Sequence, residues 1–110
     1  MTLASAELNI ASEFTTTPGP RHPEEGEFSG EAFLEALLLP RFDAAVAART
    51  TLTVNLDGAA GYPTSFLEAA FGGLSRQRGT ALVEGHLKLI CTDEPYLEAE
   101  IQKYIREASK

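Results

Sequence analysis

Cysteine occurs once in this 110-residue chain, at Cys91, and tryptophan does not occur at all. A lone cysteine closes no internal disulfide, so a stapled secreted scaffold is excluded and a reducing, cytoplasmic setting is the simplest reading. Apolar runs are short. None approaches the roughly 20 residues that span a bilayer, so no membrane partner is expected. Residues 1–14 carry Glu7 and Glu13 and no basic head, which argues against a signal peptide. Basic residues are also scarce, 9 against 16 acidic, for a net charge of -7. Such a surface repels a phosphate backbone at long range. Arg76, Arg78 and Lys88, with Glu84 among them, read as a solvated edge rather than a nucleic-acid groove. No G-x-S-x-G string, Walker loop or dinucleotide fingerprint occurs, and Gly58 and Gly61 lack the rest of such a pattern.

What is present is a single globular domain over residues 1–110, long enough to bury a core without crosslinks or metals. Leu8, Ile10 and Phe14 fall at even spacing and predict a first strand, closed by Pro18-Gly19-Pro20. Residues 15–28 read as a proline-rich loop. Ser29 is the expected N-cap of a helix, with Phe28 and Phe33 at the spacing of a hydrophobic staple. Leu34, Leu37 and Leu38 share an apolar face with Phe33. Pro40 should break or kink this helix, and a second piece over 41–49 repeats the pattern with Phe42, Ala45 and Val46.

Leu52, Val54 and Leu56 alternate with Thr53 and Asn55, which predicts a strand ended by Asp57-Gly58. Ser65 and Glu68 match a capping box ahead of a helical face of Leu67, Ala70, Phe71 and Leu74. Gly72-Gly73 in that helix implies close packing against a neighbouring backbone or an early end, and Gly79 marks the expected terminus. Leu87, Leu89 and Cys91 predict a third strand. Asp93 or Glu94 should cap a last helix, with Pro95 in its first turn and Leu97, Ile101, Tyr104 and Ile105 on one face. Each strand has one apolar and one polar or mixed face, so the expected class is α/β, two-layered, with helices mainly on one face of the sheet. Strands 52–56 and 87–91 should pair in parallel through a right-handed crossover.

The residue chemistry alone names no reaction. His22 and His86 lie in different segments without a second ligand at metal-binding spacing, so no metal or cofactor is expected. Cys91 falls on the inward parity of its strand and reads as a structural thiol. Glu24, Glu25 and Glu27 read as a mobile acidic loop. Arg21 should grip a carboxylate in two-pronged fashion, with Asp57 as the preferred partner and Glu25 next.

The informative stretch runs from Thr53-Val54-Asn55-Leu56-Asp57-Gly58 through Tyr62-Pro63-Thr64-Ser65-Phe66-Leu67-Glu68 to Phe71-Gly72-Gly73-Leu74. With Pro18-Gly19-Pro20-Arg21, Glu25-Gly26-Glu27-Phe28-Ser29-Gly30-Glu31 and the Leu38-Leu39-Pro40 break, it resembles a bacterial STAS-like domain family of unknown function. That family is distantly similar to the STAS domains of anti-sigma-factor antagonists. The resemblance covers most of residues 8–108 and implies a STAS-like mixed sheet. In the antagonists, a strand runs through a short loop into paired hydroxyls that open a helix, and Thr64-Ser65 fall where that pair falls. The antagonists have aspartate before the pair and glycine after it, where this chain has Pro63 and Phe66.

The resemblance makes Thr64 and Ser65 phosphoacceptor candidates. It implies a partner-binding surface of Arg21, Asp57, Gly58, Tyr62, Thr64, Ser65 and Glu68. The implied role is non-enzymatic: a cytoplasmic signalling domain, binding a protein partner of the histidine-kinase-like ATPase kind through the 57–68 loop and helix. The structural alternative for Thr64 and Ser65 is helix capping. The alternative functions are a small enzyme using the Arg21, His22 and Asp57 region, or a structural subunit that forms a homodimer through the mixed sheet face.

Overall fold

The computed structural model describes residues 6–108. Three short strands, β1 (Ala6–Asn9), β2 (Leu52–Asn55) and β3 (Leu87–Ile90), form one sheet in the order β1-β2-β3. Both pairings are parallel, with Leu8 beside Val54 and Val54 beside Leu89. The expected parallel pairing of the second and third strands holds, and the sheet described is parallel throughout rather than mixed. Leu8, Leu52, Val54 and Leu87 point into the core, while Glu7 and Lys88 on the opposite parity are exposed. Crossovers of one hand that advance the same way across a parallel sheet carry their helices on the same face. On the opposite parity of the strands Asn9, Thr53 and Asn55 are half-buried.

β1 lies earlier than expected and stops at Asn9. Ile10–Glu13 turn instead into a short helix, α1, because Asn9 and Glu13 close it reciprocally. The Asn9 side chain accepts from the Ser12 amide at 2.9 Å, and the Glu13 carboxylate accepts from the Asn9 amide at 3.0 Å. Phe14 then swings inward beside Phe33. The expected staple of Phe28 on Phe33 is replaced by a relay, since Phe28 meets the edge of Phe14, with ring centres 5.5 Å apart.

Residues 30–47 form one helix, α2, and Pro40 does not break it. The chain widens into a π turn over Leu34–Leu38, directly before the proline. There the Leu39 amide reaches back five residues to the Leu34 carbonyl, which eases the clash and the missing donor that proline brings to a regular helix. A second long helix, α3, covers 64–78 and also contains a π turn, Glu68–Gly72. Gly30 and Gly73 let α2 and α3 approach closely. A Cβ on Gly30 would lie 2.5 Å from the Phe66 carbonyl oxygen, and one on Gly73 would lie 2.7 Å from Leu34 Cδ2. The expected backbone neighbour of Gly72-Gly73 is not there: the close atoms belong to side chains, those of Glu68 and Leu34. α3 ends at Gly79 as expected, with φ +90°.

A helix the sequence reading did not foresee, α4 (Thr80–His86), follows at once and buries only Val83. α5 (Tyr96–Ala108) buries Leu97, Ile101 and Ile105. It packs on α3, where the buried Ser75 hydroxyl donates to the Ile105 carbonyl at 2.7 Å. Phe33, Phe42, Phe66 and Phe71 are fully buried between the layers. Among the other expected core residues, Leu56, Leu67 and Leu74 are buried, while Leu89 and Cys91 are half-buried against the same cluster. Among the described residues, no helix is long and apolar enough to cross a membrane.

Candidate functional site

The 57–68 loop is fixed at one end by two aspartates that each hold the other's strand exit. The Asp93 amide donates to the Asp57 carboxylate at 2.9 Å, and the Gly58 amide donates to the Asp93 carboxylate at 3.0 Å. Asp93 is thereby diverted from the helix-capping role expected of it. The expected Arg21–Asp57 pair does not form: the Asp57 carboxylate takes the Asp93 amide beyond β3, and Arg21 bonds Glu68 instead. Tyr62 spans the loop, its hydroxyl donating to the Leu56 carbonyl at 2.8 Å. Burial, with Cys91 and the aspartates around it, pushes the Tyr62 phenol strongly upward, so it stays protonated. Burial likewise raises the Cys91 thiol to about 11, which leaves no thiolate for nucleophilic work near neutral pH.

The loop delivers the chain into α3 through Pro63. Proline has no side-chain oxygen, and no side chain caps the helix. The expected capping box of Ser65 and Glu68 is therefore absent: the helix begins two residues earlier, and Ser65 lies inside the first turn. Thr64 occupies the first helical position and is exposed, while Ser65 is half-buried. The amides of Phe66 and Leu67 bond the Pro63 carbonyl. Among the described residues, no acceptor reaches the Thr64 or Ser65 amide. The positive end of a helix of four turns thus opens beside an accessible hydroxyl. Tyr104 of α5 interacts with the Thr64 hydroxyl and donates to Glu100 at 2.9 Å.

One turn further along, Glu68 receives the two arginines that sequence reasoning left apart. Arg21 bonds one carboxylate oxygen and Arg76 the other, the latter at 2.7 Å. The Arg76 hydrogen bond, with a further contribution from Arg21, holds the Glu68 carboxyl below the usual carboxylate range, while burial opposes it. Arg21 reaches this position because its loop is pinned to the start of α2. The Gly30 amide donates to the Pro20 carbonyl at 2.8 Å and the Glu31 amide to the Arg21 carbonyl at 3.1 Å. Arg78 is paired as well, in a two-pronged bond to Asp43 at 2.7 and 2.8 Å. Two cations of the suspected basic edge are therefore already neutralised by carboxylates.

Beside this trio a groove of about 510 Å³ runs between α2 and α3, walled by Arg21, His22, Glu31, Leu34, Ala69 and Arg76, among others. His22 sits 2.8 Å from a Glu31 carboxylate oxygen, and Glu31 raises the imidazole above its ordinary range. His22, Glu24 and Glu31 can each present one ligand atom within 4.8 Å of the others. Sequence spacing did not connect these three, because the turn Pro23–Glu25 is what folds His22 and Glu24 back over α2.

The structure thus brings Arg21 to Glu68 and places Thr64 one helical turn away. Asp57, Gly58 and Tyr62 form a separate, internally bonded loop. Asp57 is not among the residues that line the groove. Among the described residues, the exposed large apolar side chains, Phe28, Leu82 and Tyr96, lie off the strands.

Comparison with known proteins adds one match. The model of the STAS-like domain of unknown function aligns with residues 29–97, from the start of α2 into the first turn of α5. No curated protein and no solved structure matches the chain.

Proposed function

The chain belongs to the family of STAS-like domains of unknown function, and we propose that it is a non-enzymatic regulatory domain that binds a protein partner through the 57–68 loop and the start of α3. The observation that carries this reading is the exposed Thr64 at the first position of an uncapped long helix. Its structural alternative, helix capping, has no hydrogen bond to support it. In this reading Asp57 and Gly58 hold the loop rigid, and Tyr62 ties it to the end of the central strand. Glu68, clamped by Arg21 and Arg76, fixes the far side of the surface. Two guanidiniums against one carboxylate leave the trio with an excess positive charge near Thr64.

A phosphate on Thr64 would meet the free first-turn amides and the positive helix end. It would also add close to two negative charges to a surface that docks a partner, so one local modification ejects the partner without unfolding the domain. By the family's distant likeness to anti-sigma-factor antagonists, the partner is a histidine-kinase-like ATPase in the cytoplasm. No cofactor enters this scheme.

The test is affinity capture from the native host with wild-type, Thr64→Ala and Thr64→Glu baits, read by quantitative mass spectrometry. The reading expects an ATPase retained by the first two baits and depleted at least about tenfold from the third, a loss of some 1.4 kcal/mol. Equal recovery from all three baits removes Thr64 from the interface.

A further inference from the structure

We propose that His22, Glu24 and Glu31 form a binding site for one divalent transition-metal ion, with Zn²⁺ the first choice, at the mouth of the groove between α2 and α3. The site is independent of the start of α3. Ligand atoms of the three side chains already lie within 4.8 Å of one another. In a tetrahedral site, donors about 2.1 Å from zinc stand roughly 3.4 Å apart, so the widest pair of the cluster needs to close by about 1.4 Å at most. The side chain free to make that movement is Glu24, which is exposed and forms no hydrogen bond among the described residues.

The other two ligands are held in place. Glu31 stands on the first turn of α2, and its amide bonds the Arg21 carbonyl, which fixes the residue before His22. The His22 amide is in turn held by the Glu25 carboxylate at 3.3 Å. These two bonds fix the backbone of both ligand residues before any metal binds.

The donor set also selects the ion. One imidazole with two carboxylates suits zinc and its first-row neighbours better than calcium or magnesium, which favour oxygen alone. Three carboxylates, Glu24, Glu25 and Glu31, surround the single imidazole, an excess of negative charge that a divalent cation offsets. Three protein ligands leave at least one coordination position for water or an anionic group. His22 and Glu31 are also walls of the groove, so a small ligand there would lie against the ion. The π turns of both long helices border the same groove, at Leu34 and Ala69.

Calorimetric titration of the untagged full chain with Zn²⁺, and competition against a chromophoric chelator, test the site. The expected result is one equivalent bound in the micromolar range. His22→Ala and Glu31→Gln should each weaken it at least about tenfold. His86→Ala and Cys91→Ser, which remove the other zinc-seeking side chains, should leave it unchanged. All four variants are compared with wild type by circular dichroism, so that loss of fold is separated from loss of ligand. Absence of stoichiometric binding overturns the proposal. So does binding that survives both His22→Ala and Glu31→Gln, or that disappears in the Cys91 or His86 variant alone.

Discussion

At the start of α2, Ser29 is fully buried, its hydroxyl accepts the Ala32 amide at 3.1 Å, and the Gly30 and Glu31 amides are taken by loop carbonyls. At the start of α3, Pro63 stands in the cap, and Thr64 faces solvent above amides with no acceptor among the described residues. Both helices are long, both contain a π turn, and their first turns pack on each other through Gly30 and Phe66. They differ in where the polar groups of the first turn are used. α2 spends them on the fold. α3 leaves them at the surface, beside a loop braced by its own hydrogen bonds. A helix start that is stable without being satisfied is available for recognition.

That contrast can be broken by substitution, and the largest effect belongs to α2. Gly30→Ala drives a methyl group against the Phe66 carbonyl oxygen and the Ala69 side chain, 2.5 and 2.8 Å from the new carbon. Overpacking at a helix contact of this kind should cost about 3 kcal/mol in denaturant unfolding. Ser29→Ala removes a buried cap and should cost about 1 kcal/mol by the same measurement. A wild-type midpoint for either variant would mean that the α2 start is not the structural anchor described.

Smaller effects sharpen the comparison at α3. Glu68→Gln should cost less than about 1 kcal/mol at neutral pH, since its ion pairs are partly solvated. Its signature lies in pH. The arginines depress the folded Glu68 pKa, so the stability they contribute is full above the unfolded value of about 4.3 and fades as pH falls through the lower folded value. The gap between wild type and Glu68→Gln should therefore close on acidification below about pH 4. A gap that is constant with pH would show that the Arg21–Glu68–Arg76 cluster is not ionic in solution. Thr64→Ala should change stability by no more than about 0.5 kcal/mol, because the hydroxyl caps nothing.

The residues explain which features could be read in advance. Leu52, Val54 and Leu56 alternate strictly, and Leu97, Ile101 and Ile105 recur every fourth position, so their burial follows from period alone. Ser29 was legible as a cap because its successor segment is strongly helical. Ser65 was not, since Pro63 sets the entry to α3 two residues earlier and a capping-box pattern carries no information about that constraint. Pro40 misled for a physical reason: a π turn absorbs a proline, and no sequence period marks one. α4 carries a single buried residue, too little amphipathic signal to register.

The charged site was the least legible. Arg21 and Glu68 are distant in sequence and meet only through the docking of the proline-rich loop on α2. His22 and Glu31 are closer, yet they too depend on the turn at Pro23–Glu25. Asp57 looked free because its partner, the Asp93 amide, belongs to another strand exit.

The account stands most directly on one paired measurement. Affinity for the purified captured ATPase and unfolding free energy are determined for wild type, Ser29→Ala and Thr64→Glu. The prediction is a double dissociation. Ser29→Ala loses about 1 kcal/mol of stability and binds as wild type. Thr64→Glu keeps its stability within about 0.5 kcal/mol and binds at least tenfold more weakly. Wild-type affinity in Thr64→Glu, or a loss of binding that only tracks loss of stability in both variants, would contradict a recognition surface at the start of α3.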